Sequence, residues 1–278
     1  MKTHIEKNTV QETLVIPLFG RKLCTEQFPK LFRDDKAVDL IDRIDYDFSA
    51  LKKRSKSTAY RFGALEVAMR ENDLMIEAKD YLVKHPNAAL VNLGCGLDQT
   101  AENCDNGTCK IFNLDLPDVI AVRNTLLPES ERVRNIAADL NDLSWFDRID
   151  AANGVCFLAA GVFYYFKTEQ IRRLLNAMAK RFPGGRLVFD AAGKRAVKIM
   201  LKTWVKEAGI TSISDYFSVD GIETDVLPWM EHAIVSSRGY MLGYNDLKDP
   251  SVPGLFRLMA KIGDRRMKMQ IVRMNFTE

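Results

Sequence analysis

At 278 residues the chain is sized for one large α/β domain or two small ones, and its 47% share of hydrophobic side chains supports a real core and excludes a disordered composition. With 40 basic against 37 acidic residues the net charge is +3, and the densest basic run, KKRSK at 52–56, reads as a solvated face, so no nucleic-acid partner is expected. The apolar runs are too short for a membrane span and the N-terminus has no signal-peptide core, so the five cysteines read as reduced thiols in a cytoplasmic protein.

Residues 1–87 read as a mainly helical cap, with 58–86 as the longest helical pattern. From Ala88 strands and helices alternate. ALVNL (89–93) reads as a buried strand, CKIFNLDL (109–116) as a second ending in acid and Pro117, and VIAVRNTLL (119–127) as a helix closed by Pro128. RVRNIAAD (132–139) and GVCFLAAGV (154–162) are further strands, and the amphipathic helix 168–182 has Thr168 placed to cap it. RLVFDAAG (186–193) is a fifth strand, followed by a helix around 194–208. Residues 209–230 are polar and irregular; then come an extended segment at 232–241, a short helix near 254–262 and a last extended segment at 267–276, the two extended segments closing the sheet as an antiparallel pair. The pattern implies an α/β fold: a doubly wound, mostly parallel sheet over 88–278, a helical cap over 1–87, and a late insertion at about 209–230 that could act as a lid. Tyr216, Phe217, Trp229 and Met230 would line an apolar pocket there or pack into the core.

The chemistry concentrates on VNLGCGLDQT (91–100), where the first strand runs into Gly94 and Gly96. In a doubly wound sheet ligands bind beyond the carboxyl ends of the strands, and glycines there let backbone approach them closely; an ordinary tight turn is the alternative. A dinucleotide fingerprint would want a third glycine at 99, where this chain has Gln99. Asp115 ends the second strand at the place for a carboxylate that accepts from ribose hydroxyls, about 20 residues past the turn, which fits NAD and S-adenosylmethionine alike. Asp139 ends the third strand and could accept from an adenine amino group while Leu140 packs on the ring. One acid at each of two successive strand ends suits an adenosine without a diphosphate. Cys104 and Cys109 are spaced C-x4-C, but with only His4, His85 and His232 in the chain no metal site is expected.

These stretches, with ETLVIPLFGRK (12–22), RIDYDF (43–48), DNG (105–107), LDLPDVIAVR (114–123), LLPESERVRNIAADLNDLSW (126–145), GVFYYF (161–166) and FPGGRLVFD (182–190), resemble the class I S-adenosylmethionine-dependent methyltransferases. More closely, the chain resembles the leucine carboxyl methyltransferase family in its tetracenomycin-type polyketide O-methyltransferase branch. The resemblance implies a Rossmann-like sheet of about seven strands and S-adenosyl-L-methionine as cofactor, leaving S-adenosyl-L-homocysteine. Gly94, Cys95, Gly96 and Leu97 would line its methionine and ribose, Asp115 with Leu116 the ribose, and Asp139 and Leu140 the adenine. Arg70 matches an arginine that binds the cofactor's carboxylate, a task suited to a guanidinium fork.

Three departures from the family pattern stand out. Gln99 and Thr100 stand where the family has threonine and arginine, so a cation is missing from the loop sequence; Ala160 replaces an acid before Gly161; and Met75 replaces an aspartate, with Asp73 close by but on a different helical face. Tyr165 matches the family's tyrosine and Tyr164 is additional; both are candidate hydrogen-bond donors on the acceptor side. No local His-acid pair offers a general base, which favours a carboxylate or an acidic hydroxyl as acceptor. The expected activity is O-methylation of a small molecule by a soluble monomer or homodimer. A protein C-terminal carboxyl methyltransferase, a catalytically lapsed cofactor- or partner-binding protein on the same fold, and an NAD-linked dehydrogenase are the competing readings.

Overall fold

A computed structural model describes residues 2–7, 9–200 and 216–278. The cap consists of α1 (Glu12–Gln27), α2 (Asp35–Arg43), α3 (Ser49–Arg54) and α4 (Thr58–Lys84), with a two-residue parallel pairing of β1 (Thr3–His4) and β2 (Ile44–Asp45). Asp34 caps α2 by accepting from Ala37 N–H at 2.8 Å, and Ser57 caps α4 by accepting from Tyr60 N–H at 3.2 Å.

The core then alternates as the sequence predicts: β3 (Ala89–Leu93), β4 (Lys110–Asp115), α5 (Pro117–Leu126), β5 (Val133–Ala137), β6 (Val155–Ala159), α6 (Thr168–Arg181), β7 (Arg186–Ala191) and α7 (Lys194–Met200). It ends with α8 (Ile222–Asp225), β8 (Ala233–Gly239), α9 (Gly254–Arg266) and β9 (Gln270–Phe276). Seven strands form one sheet in the order β5-β4-β3-β6-β7-β9-β8, parallel except for β9, which runs antiparallel to both neighbours. The expected antiparallel closure by the last two extended segments is therefore present. Every residue of β3, β6 and β7 is buried, as parallel strands covered on both faces must be.

The two faces separate by strand periodicity. Val91, Leu93, Phe157, Leu187, Phe189 and Val272 pack with Ile171, Leu174 and Met178 of α6. Leu90, Cys156, Leu158, Val188 and Ile271 pack with Leu65, Met69, Leu74 and Tyr81 of α4. Arg186, 7% exposed, fixes α4 on the sheet by donating to Asp80 Oδ2 at 2.8 Å and the Glu77 carbonyl at 2.9 Å. A third apolar cluster joins α1 and α2 to α5 and to Leu97 of the glycine turn, so the cap is seated on the loop that follows β3.

Two local expectations change. Thr168 does not cap α6: it is the first helical residue, and Lys167 is the N-cap, its N–H donating to Gln170 Oε1 at 2.8 Å, because Gln170 three positions on reaches back to it. In the late segment, residues 209–215 lie outside the described part, as do 201–208 of the helix expected over 194–208. The rest is tied to the core: Phe217 N–H donates to the Phe166 carbonyl at 2.9 Å, and its ring packs against Phe163 and Phe189 at 6.1 Å each. Met230 is buried in the same cluster, and Trp229 packs against it. All five cysteines are free and buried. Among the described residues, no helix is long and apolar enough to cross a membrane, and no group of three or more His, Cys, Asp or Glu side chains is arranged to hold a metal ion.

Candidate functional site

The chain runs from β3 outward to β4 and β5, then returns to β6 on the other side of β3. That reversal is the switch point, and the glycine turn leaves from it. Gly94 and Gly96 have φ of +61° and +50°, in the left-handed region that favours glycine. A side chain at Gly94 would strike Val162 at 2.5 Å, so the turn after β3 lies directly against the loop after β6. Gly96 N–H donates to Asp115 Oδ2 at 2.8 Å and Leu116 N–H to Asp115 Oδ1 at 2.8 Å, placing the carboxylate at the tip of β4 beneath the turn. Burial pushes the Asp115 carboxyl up, and those two backbone donors pull it back. Leu116 is 39% exposed at the start of α5. Cys95 is buried within the turn, its thiol raised well above its ordinary range by desolvation, so it is a backbone element of the site and no nucleophile.

At the tip of β5, Leu140 is buried while Asp139 is exposed, its Oδ1 accepting from both the backbone and side-chain amides of Asn141 at 2.9 Å. The Ala138 N–H donates to the Asp115 carbonyl at 2.9 Å, joining these two strand ends.

Across the switch point, Arg70 projects from α4 to the tips of β6 and β7. Its Nη1 lies 3.3 Å from Asp190 Oδ2, and Asp190 Oδ1 accepts from Gly161 N–H at 2.6 Å. The guanidinium lies so close to Gly161 that a side chain there would meet Nη1 at 2.5 Å. Arg70 is half-buried, with its side chain 14% exposed, and its buried Nε finds no partner among the described residues. Tyr164 is 5% exposed, with its phenol pushed well up by burial and by Asp190 beside it; it belongs to the Arg70 cluster. Tyr165 is 46% exposed, yet its phenol is pushed up by burial, with Arg70 pulling it back and Asp190 adding to the shift. Tyr240 completes the cluster, its hydroxyl donating to the Glu66 carbonyl at 3.0 Å.

The cation missing at position 100 is supplied from elsewhere. Arg123 of α5 is fully buried; its Nη1 donates to the carbonyls of Gly96 at 3.0 Å and Asp98 at 2.7 Å, and its Nη2 to Glu102 Oε1 at 2.6 Å. Arg21 of α1 reaches the Leu97 carbonyl at 2.9 Å and pairs with Asp34 at 2.9 Å and Glu71 at 3.1 Å. Thr100 is buried beside them, its N–H donating to Asp98 Oδ1 at 3.0 Å. Two guanidiniums thus hold three consecutive carbonyls of the turn. Neither arginine was singled out by the sequence reading, yet helical spacing carried the signal: Arg123 falls four residues after Val119 on the buried face of α5, and Arg21 seven after Leu14 on that of α1. Asp190, a third acid at a strand's carboxyl end, was equally findable. His85 stacks on Tyr81 at 4.5 Å and serves as the C-cap of α4, consistent with a structural histidine.

Residues 16–179, more than half of the chain, match the leucine carboxyl methyltransferase family. The chain belongs to that family, and so to the S-adenosylmethionine-dependent methyltransferases. It is 32% identical over 183 residues to the tetracenomycin polyketide synthesis O-methyltransferase TcmP of Streptomyces glaucescens, a match covering 66% of each chain, just short of two thirds. Among solved structures it is similar to a DUF574-family protein of Streptomyces avermitilis, with a TM-score of 0.58 at 13% identity over 84% of this chain and 92% of that one. A crystallised protein of Thermobifida fusca gives a TM-score of 0.51 at 14% identity over 76% of this chain and 82% of the other. These two share the Rossmann-like α/β fold.

Proposed function

We propose that the protein is an S-adenosylmethionine-dependent O-methyltransferase that acts on a small molecule bearing a carboxylate or an acidic hydroxyl. Family membership supports the reaction class, and the kinship with TcmP supports a small-molecule acceptor. The observation that carries the reading is the glycine turn at the switch point with Asp115 hydrogen-bonded beneath it, facing Arg70 across the junction of two loops.

The donor set fits the cofactor. Asp115 keeps lone pairs for two ribose hydroxyls, Leu116 offers an exposed apolar side chain, and Arg70 has a buried nitrogen without a partner among the described residues. Gly94, Cys95 and Gly96 would line the methionine and ribose, Asp115 and Leu116 the ribose, Asp139 and Leu140 the adenine, and Arg70 the carboxylate. Bound there, S-adenosylmethionine supplies a methyl group already activated on a sulfonium. What remains for the protein is alignment of the acceptor oxygen and exclusion of water. Tyr165, with its exposed side chain, is the acceptor-side hydrogen-bond donor; Tyr164 acts from behind it, in the packing around Arg70. A carboxylate acceptor needs no base, consistent with the structural roles of His85 and of His232, whose carbonyl accepts from Thr277 N–H at 3.0 Å.

Calorimetric titration tests the cofactor, and methyl transfer into a pool of carboxylic acids and acidic phenols tests the acceptor class. Micromolar binding of S-adenosylmethionine and S-adenosylhomocysteine is expected; no binding at millimolar ligand overturns the reading. Asp115→Ala should weaken cofactor binding at least about tenfold, through loss of two hydrogen bonds to a charged group at roughly 1.5–3 kcal/mol each. An unchanged affinity in a folded variant removes Asp115 from the site.

A further inference from the structure

We propose that Asp190 is a positioning residue for cofactor recognition: it sets the direction of the Arg70 guanidinium and, through Gly161, the shape of the loop on which that guanidinium rests. This rests on the reading that Arg70 receives the cofactor's carboxylate.

Asp190 is 2% exposed at the end of β7, where its two oxygens serve Arg70 and Gly161 and the Tyr164 hydroxyl also bonds to the carboxylate. Oδ2 faces Arg70 Nη1 at 3.3 Å, and Oδ1 takes the Gly161 N–H at 2.6 Å. A carboxylate can do both at once because both oxygens accept; an asparagine offers one acceptor and turns a donor toward the other task. The loop after β6 has alanine at 160, so its own sequence offers no carboxylate at that point, and the neighbouring strand provides one. Gly161 has a φ of +71°, and any side chain there would strike the guanidinium, so loop backbone and arginine are fitted to each other. Arg70 itself starts from α4, which packs on one face of the sheet, and has a long, flexible stem; without a fixed partner its fork has no defined direction. Anchored on one edge by Asp190, the fork keeps Nε without a partner among the described residues. A guanidinium held on one side by a buried carboxylate is ordered before a second carboxylate arrives, which removes the cost of ordering it on binding.

The test compares S-adenosylmethionine with decarboxylated S-adenosylmethionine, which keeps everything but the group that Arg70 would meet. Wild-type protein should prefer the carboxylated form by at least about tenfold, the yield of charge-assisted bonds to one carboxylate. Asp190→Asn should cut that preference at least fivefold, to about twofold, while affinity for the decarboxylated form changes little. Gly161→Ala, which displaces the same guanidinium with Asp190 intact, should do likewise and serves if the first variant fails to fold. If both affinities fall in parallel, Asp190 is merely structural and the inference is overturned; an unchanged or larger preference overturns it too. The underlying reading fails separately: wild-type protein would then show no preference, or Arg70→Gln would retain it.

Discussion

Helix α4 carries two buried acids two residues apart with opposite fates. Glu71 faces α1 and meets Arg21 at 3.1 Å, within a network that also takes in Asp34 and the Leu97 carbonyl. Asp73 faces the other way, toward the turn after β8 and α9, where Asp264, Tyr240 and Tyr244 are its polar neighbours. Asp73 is fully buried, and neither of its carboxylate oxygens has a hydrogen-bond partner among the described residues. Burial pushes its carboxyl up to about 9, with Asp264 adding to the shift. Burial also pushes Glu71 up, but Arg21 beside it pulls in the other direction. Burial of an acid is tolerated on both faces. On the α1 side it is used to hold the glycine turn; on the α9 side it costs stability whenever the pH is high enough to ionise the unfolded chain.

The comparison breaks most sharply at Arg123, the second guanidinium on the turn. Arg123→Ala takes the donor from two loop carbonyls, leaves Glu102 Oε1 to the Asn113 amide alone among the described residues, and should cost about 3–5 kcal/mol of unfolding free energy in urea melts, with cofactor affinity falling too. An Arg123→Ala protein as stable as wild type would remove the distinction between the two faces. Asp73→Asn should act in the opposite direction. The folded pKa lies above the unfolded value, so the proton is held more tightly in the folded state, and stability falls as pH rises from about 4 toward about 9. The variant lacks that slope: it should match wild type near pH 4 and exceed it at pH 8 by on the order of 5 kcal/mol, read as a pH-dependent difference in melting temperature. Arg21→Lys keeps the charge and loses the fork, so one of the contacts to Asp34, Glu71 and Leu97 goes unmet. A loss of about 1–2 kcal/mol is expected by the same melts, sharpening how much of the network is geometry and how much is charge.

The sheet was legible because its central strands are covered on both faces and read as mostly apolar runs, ALVNL, VCFLA and RLVFDA, and because the turns between them carry glycine and proline. Asp115 was placeable for a related reason: it ends β4, and the fold presents strand ends to ligand; Asp139 lies two residues past the end of β5, not at the strand's end as expected. What escaped the reading is long-range. That Arg123 and Arg21 would replace the cation absent at Thr100 depends on two helices approaching one turn from opposite sides. Which way Asp73 would face depends on where residues 240–264 pack, far along the chain. Tyr164 and Tyr165, adjacent in sequence, separate into one buried and one exposed ring because the short 3-10 turn at Phe163–Tyr165 sends consecutive side chains in different directions.

The seating of α1 on the glycine turn has a kinetic consequence. Leu14 lies where a side chain on Gly96 would meet it at 3.2 Å, and Arg21 holds the next carbonyl. A cap that lifts must let go of the turn, and a turn occupied on its ligand side is harder to let go of. Amide hydrogens along Glu12–Gln27 should therefore exchange with solvent more slowly when the site is filled, at residues remote from the ligand, and hydrogen-exchange mass spectrometry with and without S-adenosylhomocysteine would record it.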